Sequence, residues 1–444
     1  MDNQFIIIAL LMINTNSILK LGLLLFLSIL LENSLFSQRI VGPPMVSHAS
    51  SSSIRIWLAA KGEGAKHPVL VNTETGSLIQ PSTFESLVGY KDVVSLTAEF
   101  NGLQADTEYD VTFSFTEKYD FTTRTDPEFS DSSTIKFLAG SCFFLPSGLW
   151  KLFIPSFNIM ILRKMLDAQS DFMLWLGDNL YYIGADLSSF EEMFRKQIEQ
   201  RRNSKHLRSL LKKQPNYSIW DDHDYGPNNS NRYFYLKDTS LLIHRSFWPN
   251  PYPEGKIGSY YSFSKGDADF FMLDDRYHRS SVKEKNKTLL GDEQLNWLKE
   301  SLSRSVATFK FIAIGSQALN ESIHSEFFAS YKQQRKELFD FLVDENIEGI
   351  IFLSGDRHFS EITTRTYRGK KFYEVTSSPV LSVPRNLSGS SELNNQFRID
   401  GSLITQRNFS RITLSGLADN RSCLVEFYNK RGKLLFTYSI PANR

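Results

Sequence analysis

The sequence predicts an α/β protein in which a small all-β domain precedes a larger α/β domain. The chain has 444 residues, enough for two domains. Residues 40 to about 130 contain short alternating strands between turn-forming residues, whereas from Thr134 onward apolar strand-like runs alternate with helical segments. A hydrophobic content of 41% and a charged content of 22% are typical of a globular protein, and 13% aromatic residues predict a large core.

The first 38 residues have the pattern of a signal peptide. Lys20 precedes the short apolar run 21–31, and small and polar residues follow. The run is short for a transmembrane span, so we expect an exported protein whose mature chain begins near Arg39. An uncleaved N-terminal anchor is the alternative, and an upstream apolar patch leaves Met12 as an alternative start.

Net charge and cysteine content narrow the possible partners. The formal net charge of +1 gives no support for nucleic-acid binding or for strong attraction to a membrane surface. The two cysteines, Cys142 and Cys423, could form a disulfide in an oxidising compartment.

Residues 39–130 are predicted to form a β-sandwich domain. The run 94–100 alternates apolar and polar residues, and the run 53–58 does so more loosely. Tyr109 suits a tyrosine corner, so the domain resembles a fibronectin type III domain. It carries no recognisable chemistry, and a linker near 125–133 separates it from the second domain, residues 131–444.

Helical periodicity in the second domain predicts three longer helices, at 189–213, 292–303 and 331–343. Between the predicted strands and helices, a loop rich in Pro, Gly and Tyr carries Trp248, Tyr252 and Tyr260. Their side chains could line an entrance to a site or pack in the core.

Six apolar runs of the second domain each end at residues that can bind a metal or a polar ligand. These run ends are Gly140-Ser141-Cys142, Gly177-Asp178-Asn179-Leu180-Tyr181, Asp221-Asp222-His223-Asp224, Asp274-Asp275-Arg276, Gly315-Ser316-Gln317 and Gly355-Asp356-Arg357-His358. Ligands of open α/β sheets bind beyond the carboxyl ends of the strands. We therefore predict one site shared by these strand ends.

The last of these stretches illustrates the expected geometry. In an extended strand, residues i and i+2 point the same way, so Asp356 and His358 should converge while Arg357 points away from them. A carboxylate and an imidazole at one point suggest a metal or an acid/base pair. The alternative is a helix N-cap Asp followed by a solvated His.

The chemistry of the set favours metal. Asp178 and Asp356 would repel each other unless a cation or a proton lay between them. Carboxylate, phenolate and thiolate together favour a strongly Lewis-acidic metal such as iron, and amide and carboxylate oxygens favour a harder divalent ion. Two cations that share a carboxylate could clamp a phosphate ester and generate hydroxide from water, and Arg276 could contact the phosphoryl group.

These motifs, in this order across about 135–380, resemble those of the PhoD-type alkaline phosphatases of the metallophosphatase superfamily. The resemblance implies an α/β fold with a two-sheet αββα metallophosphatase sandwich behind the small all-β domain. It also implies an exported phosphoric ester hydrolase in which a metal-activated hydroxide attacks the phosphoryl group. Iron (Fe³⁺) and calcium (Ca²⁺) are the implied cofactors, and small-molecule or polymer phosphate esters are the expected substrates.

Carried over residue by residue, the resemblance implies a set of metal ligands and a phosphate-contacting residue, Arg276. The implied ligands are Cys142 (thiolate), Asp178 (bridging carboxylate), Tyr181 (phenolate), Asn228 (amide), Asp356 and His358. Asn229 is the alternative to Asn228. We expect Asp222 and His223 to lie nearest the chemistry, with other members of the 221–224 run orienting them.

Three alternatives stay open at this point. A Cys142–Cys423 disulfide would remove the implied thiolate. The protein could be a phosphodiesterase acting on lipid, polymer or nucleotide substrates. It could also be a non-catalytic surface protein that keeps a metal for stability or binding.

Overall fold

The computed structural model describes residues 39–61, 67–114, 116–130, 133–145, 159–321, 327–417 and 420–442. The predicted signal peptide, residues 1–38, lies outside them. Strands are β1 (Arg39–Ala49), β2 (Ser53–Lys61), β3 (Val69–Asn72), β4 (Leu78–Ile79), β5 (Thr83–Val88), β6 (Val93–Asn101), β7 (Glu108–Thr112), β8 (Phe121–Arg124), β9 (Ile135–Gly140), β10 (Phe172–Leu176), β11 (Asn216–Ile219), β12 (Tyr261–Lys265), β13 (Ala268–Met272), β14 (Phe309–Ala313), β15 (Ile350–Ser354), β16 (Glu361–Tyr367), β17 (Lys370–Thr376), β18 (Asn408–Ser415), β19 (Ser422–Asn429) and β20 (Leu434–Pro441).

The α-helices of the described residues are α1 (Met160–Asp167), α2 (Phe190–Asn203), α3 (Lys205–Lys213), α4 (Asp222–Tyr225), α5 (Lys237–Phe247), α6 (Asp292–Arg304) and α7 (Lys332–Asp344). Within the described ranges, none of the helices combines the length and the hydrophobicity that crossing a bilayer requires.

The N-terminal strands form two four-stranded sheets, in the orders β1-β2-β6-β5 and β4-β3-β7-β8. Alternating side chains of both sheets, such as Ile56 of β2 and Val111 of β7, share one apolar core. Tyr109 is buried, and its hydroxyl accepts a hydrogen bond of 3.1 Å from the backbone N–H of Gln104. This is the contact that a tyrosine corner predicts. The assignment to the fibronectin type III class and the boundary near residue 130 stay predictions.

Two six-stranded sheets form the rest of the protein, in the orders β11-β10-β9-β18-β19-β20 and β12-β13-β14-β15-β17-β16. Strands β9 to β11 are parallel to one another, as are β13, β14, β15 and β17. One apolar cluster contains residues of both sheets. In it, Phe137 of β9 meets Phe270 of β13 and Phe311 of β14 edge to face, each at 5.3 Å between ring centroids.

Helices cover the outward faces of both sheets. Apolar residues of α1, α2, α3 and α5 pack with the outward side chains of β9 and β10, such as Leu138 and Met173. Residues of α6 and α7 pack in the same way with Phe271 of β13 and Phe352 of β15. The mixed α/β class is therefore confirmed. The finer assignment to an αββα metallophosphatase sandwich stays a prediction.

The predicted strands of the second domain form within a few residues of their expected bounds, and so do α6 and α7. The predicted single helix at 189–213 is wrong, because the chain breaks at Ser204 into α2 and α3. Ser204 has an extended backbone, and its hydroxyl accepts a hydrogen bond from the backbone N–H of Leu207, which makes it the N-cap of α3. Trp248 and Tyr260 are buried and belong to the packing of the protein.

Candidate metal centre

Four side chains from three strand ends meet at one point. The hydroxyl of Tyr181 lies 2.9 Å from Oδ2 of Asp178, and Sγ of Cys142 lies 3.5 Å from the same oxygen. Nε2 of His358 lies 3.5 Å from the Tyr181 hydroxyl. The carboxyl ends of β9, β10 and β15 thus bring together the predicted thiol, carboxyl, phenol and imidazole groups.

Two trios of potential ligands share Asp178. In the first, Cys142, Asp178 and His358 place their candidate ligand atoms within 4.8 Å of one another, and in the second Asp178, Asp222 and His223 do the same. A carboxylate common to two ligand groups is the arrangement expected of a bridge between two cations. Asp222 and His223, which we expected to take part in the chemistry, therefore also stand as candidate metal ligands.

Left-handed backbone conformations mark this site. Cys142, Asp178, Asp356 and His358 have φ values of 61°, 53°, 60° and 58°. Such values cost roughly 1–2 kcal/mol for a residue with a Cβ atom, and strained backbone of this kind clusters at functional sites. The glycine of the last motif is also required, because a Cβ atom on Gly355 would lie 2.4 Å from the carbonyl oxygen of Leu176.

The expected geometry of the 355–358 stretch is wrong in two respects. Strand β15 ends at Ser354, and the left-handed residues Asp356 and His358 form a turn, so strand alternation does not aim them. His358 reaches the first trio, whereas Asp356 belongs to neither trio. Arg357 does not point away, since its Nη1 donates to Oδ2 of Asp356 at 2.9 Å and its Nε donates to Glu392 at 3.0 Å.

This ion pair sets the charge of Asp356. Burial opposes ionisation of the carboxyl group, but the nearby Arg357 and Arg276 cations outweigh burial and lower the pKa of Asp356. Asp356 therefore supplies fixed negative charge beside the first trio.

The 221–224 turn is tied to the Asp178 loop by Asp224. Its carboxylate accepts hydrogen bonds from the backbone N–H groups of Leu180 at 3.0 Å, Asn179 at 3.2 Å and Asp221 at 3.0 Å. Burial raises the pKa of Asp224 to about 7. The backbone N–H of His223 also faces Oδ1 of Asp178 at 3.3 Å. Asp224 therefore orients its neighbours, as the sequence predicts for part of this run.

Arg276, the predicted phosphate-contacting residue, lies in a buried ion pair, and its contact with a phosphate stays a prediction. Arg276 is fully buried, and its Nε donates to Oδ1 of Asp221 at 2.6 Å. Its Nη2 contacts the same oxygen. The cause is the buried carboxylate of Asp221, which needs a counter-charge once it is removed from water. Through Asp221, Arg276 supports the turn that carries Asp222 and His223.

Asn228 and its alternative Asn229 are both exposed. The backbone N–H of Asn229 donates to Oδ2 of Asp222 at 2.7 Å, which places this loop at the edge of the second trio. An amide ligand at Asn228 or Asn229 stays a prediction.

Sequence reasoning missed the loop that follows β17. Ser378 places its hydroxyl 3.2 Å from Sγ of Cys142, and Ser382 donates to the Tyr181 hydroxyl at 3.0 Å. The Val383 carbonyl lies 2.7 Å from Nδ1 of His358, which leaves Nε2 directed at the centre. The signal in the sequence was the end of β17, a seventh strand end beyond the six that were singled out. It carries serines, which are too common in loops to indicate a site.

Burial shifts the pKa values of the five candidate ligands toward their neutral forms. Burial raises the pKa of the Cys142 thiol to about 12. Burial, with Cys142 and Asp222 nearby, raises the pKa of Asp178, and burial with Asp178 raises that of Tyr181. Burial lowers the pKa values of His223 and His358. A cation would displace the protons of Cys142, Asp178 and Tyr181, whereas the two neutral imidazoles would bind it through an unprotonated nitrogen.

Two further observations fit a metal. Nδ1 of His223 is buried and has no hydrogen-bond partner among the described residues. Cys142 and Cys423 are both buried free thiols, so the alternative of a Cys142–Cys423 disulfide is wrong and the Cys142 sulfur is free to bind. The donor set therefore fits a pair of cations that share Asp178.

Comparison with known proteins places this chain in a family. The sequence is 24% identical to alkaline phosphatase D of Bacillus subtilis (strain 168) in an alignment of 252 positions that covers 45% of this chain and 43% of that protein. The chain thus spans less than half the length of this curated relative. A solved structure of PhoD superposes with a TM-score of 0.66 at 16% identity, covering 91% of this chain and 92% of that one, and so shows the same fold.

The sequence model of the PhoD-like phosphatases matches residues 147–411, more than half of the chain. The matched region contains both strand-end carboxylates Asp178 and Asp356 and the whole 221–224 turn. The chain belongs to the PhoD-like phosphatase family.

Proposed function

We propose that this protein is an exported, metal-dependent phosphoric ester hydrolase of the alkaline phosphatase D kind. One observation carries the proposal: Asp178 is common to two trios of potential ligands, Cys142–Asp178–His358 and Asp178–Asp222–His223. Family membership supports the phosphatase class, and the apolar run ahead of residue 39 supports export.

The donor chemistry suggests which cation each side would hold. Cys142, Tyr181 and His358 offer sulfur, phenol oxygen and nitrogen around Asp178, a set that suits iron. Asp222 and the amide oxygen of Asn228 would serve a calcium ion, which prefers oxygen ligands. When bound, such cations supply Lewis acidity, which neutralises phosphoryl charge and acidifies a water molecule.

Three further side chains would then assist the reaction or the binding of the cations. His223 is neutral because burial lowers its pKa, so a ring nitrogen that binds no cation can accept a proton from the attacking water. Arg276 acts through Asp221, which begins the helix that carries Asp222 and His223. Asp356, paired with Arg357, supplies negative charge that favours cation binding beside it.

The architecture belongs to the same proposal. The apolar cluster shared by the two six-stranded sheets supports a two-sheet αββα sandwich of the metallophosphatase kind. The separate core of β1–β8 and the tyrosine corner at Tyr109 support a fibronectin type III-like N-terminal domain, residues 39–130.

The direct test is a panel of phosphate esters assayed with purified protein. We expect phosphate release from p-nitrophenyl phosphate, abolished by a chelator and restored by adding metal back. Activity that survives complete metal removal would contradict metal dependence. Bound metal without turnover of any monoester or diester would favour a non-catalytic metal protein, and faster turnover of bis-p-nitrophenyl phosphate would favour a phosphodiesterase.

A further inference from the structure

Four large exposed apolar side chains lie on segments that are connected to the candidate metal centre. Ile183, Tyr233, Tyr235 and Val383 are 55%, 67%, 75% and 71% exposed. Single exposed apolar residues are common on protein surfaces, but a group of them beside a polar site usually marks a binding surface. We call these four residues the apolar collar.

Two members of the collar adjoin the trio residues directly. The carbonyl oxygen of Val383 lies 2.7 Å from Nδ1 of His358. Ile183 follows Tyr181 by two residues, so its Cα lies within about 7 Å of the Tyr181 Cα. The rings of Tyr181 and His223 are in contact, with centroids 4.3 Å apart, so Ile183 also lies near the second trio.

The other two members stand on a loop that is fixed to the site. Asn229 donates its backbone N–H to Asp222 at 2.7 Å, and Tyr233 follows four residues later, within about 14 Å by chain length. Between the two tyrosines, Phe234 is buried against Tyr225 with ring centroids 5.6 Å apart. This anchor turns Tyr233 and Tyr235 outward on either side.

Tyr235 also connects this loop to the segment that follows Ile183. Its hydroxyl donates to the carbonyl oxygen of Leu187 at 2.8 Å, and Leu187 ends the short helical turn that begins just after Ile183. The ring is therefore held by its hydroxyl and by an edge-to-face contact with Phe234, 5.3 Å between centroids, while the residue stays 75% exposed. A pre-ordered aromatic ring binds a flat partner at little cost in conformational entropy.

We propose that the apolar collar binds the organic group of the phosphate ester, and that the preferred substrates carry a flat ring such as a nucleobase. The proposal rests on the proposed hydrolase function. The side of the Tyr233 ring that Arg232 does not cover and the exposed ring of Tyr235 offer π surface on which a base can stack, while Ile183 and Val383 exclude water beside the phosphate. A small polar ester would gain nothing from these four side chains. They are specificity-determining residues and take no part in the reaction.

The test compares two phosphomonoesters with the same phosphate group, adenosine 5′-monophosphate and glycerol 3-phosphate. The Tyr233→Ala/Tyr235→Ala double variant should lower kcat/KM for the adenosine ester by about fivefold or more through KM, as loss of base stacking predicts. Its kcat/KM for glycerol 3-phosphate should stay within about twofold. The matched control is Phe84→Ala, which removes an aromatic ring 59% exposed on β5 of the N-terminal domain.

A second measurement tests whether the apolar collar binds a flat ring independently of ester hydrolysis. Calorimetric titration with adenosine, which carries no phosphate, should show binding to the wild type and to Phe84→Ala, and weaker binding to the double variant. Equal preference for the two esters, or equal losses on both in the double variant, would overturn the collar while leaving the hydrolase proposal intact. If no ester is hydrolysed at all, the proposed function fails, and adenosine binding still decides whether the collar binds rings.

Discussion

The hydroxyl of Tyr181 donates a 2.9 Å hydrogen bond to Oδ2 of Asp178, the oxygen that also faces the Cys142 thiol at 3.5 Å. Two donors, a phenol and a thiol, thus converge on one carboxyl oxygen in a buried place. A thiol, a phenol and a carboxyl group gathered in one place are ligands that a cation can bind by displacing their protons.

Tyr181→Phe tests the phenol directly. If iron binds there, the wild type should show a visible charge-transfer band, and the variant should lose it together with more than about tenfold of its phosphatase kcat/KM. The matched control is Tyr182→Phe, because Tyr182 is the buried neighbour whose hydroxyl accepts a hydrogen bond from Gln197 at 3.0 Å. An unchanged spectrum in Tyr181→Phe, or an equal loss in both variants, would exclude Tyr181 as an iron ligand.

The two cysteines provide a second matched pair. Both are fully buried free thiols, but Cys142 faces Asp178 whereas Cys423 belongs to the core between the sheets. Cys142→Ser should lower the metal content measured by mass spectrometry, since serine is a poorer ligand for the same cation. Cys423→Ser should keep the metal even if it loses some stability. Equal metal content in the two variants would argue against a thiolate ligand.

Arg276 should matter for stability as well as for the site. Arg276→Met leaves the buried Asp221 carboxyl without its cation, which costs about 3–5 kcal/mol in comparable pairs. The double variant Asp221→Asn/Arg276→Met removes both charges and should recover part of that loss. Urea unfolding of the two single variants and the double variant measures this coupling. Strictly additive losses would show that the pair does not act as a unit.

Sequence reasoning succeeded where a feature depends on local pattern and failed where it depends on tertiary contacts. The strand ends carrying Cys142 and Asp178 could be predicted to converge, because β9 and β10 are parallel neighbours in one sheet. His358 follows β15 of the other sheet, so the packing of the two sheets brings it to the same point. The buried pairing of Arg276 with Asp221 could not be predicted, since the two residues are 55 positions apart and only the fold brings them together. The direction of the Arg357 side chain was predicted wrongly for a related reason, because a left-handed turn at Asp356 and His358 replaces the extended backbone that the prediction assumed.

Glu374 predicts a pH dependence of stability away from the metal centre. It is fully buried on β17, accepts hydrogen bonds from the backbone N–H groups of Ala318 and Leu319, and burial raises its pKa from 4.5 to about 7. Because the folded-state pKa lies above the unfolded value, its contribution is fully present below about pH 4.5 and is lost as the pH rises through about 7. The shift corresponds to about 3 kcal/mol.

Urea unfolding of the wild type and of Glu374→Gln across this pH range measures that contribution. The variant should lose the pH-dependent component, whatever its absolute stability, because an amide does not titrate. Glu345→Gln, at an exposed position, is the control and should keep the wild-type slope. A wild-type slope in Glu374→Gln would show that Glu374 is already ionised at low pH.

The most direct test of the shared carboxylate is the metal content of Asp178→Asn, measured with that of His358→Ala and of the wild type. Since Asp178 belongs to both trios and His358 to one, the wild type should hold two metal ions per chain, His358→Ala should weaken one, and Asp178→Asn should weaken both and abolish ester hydrolysis. A fully loaded and active Asp178→Asn protein would contradict a centre built around this residue.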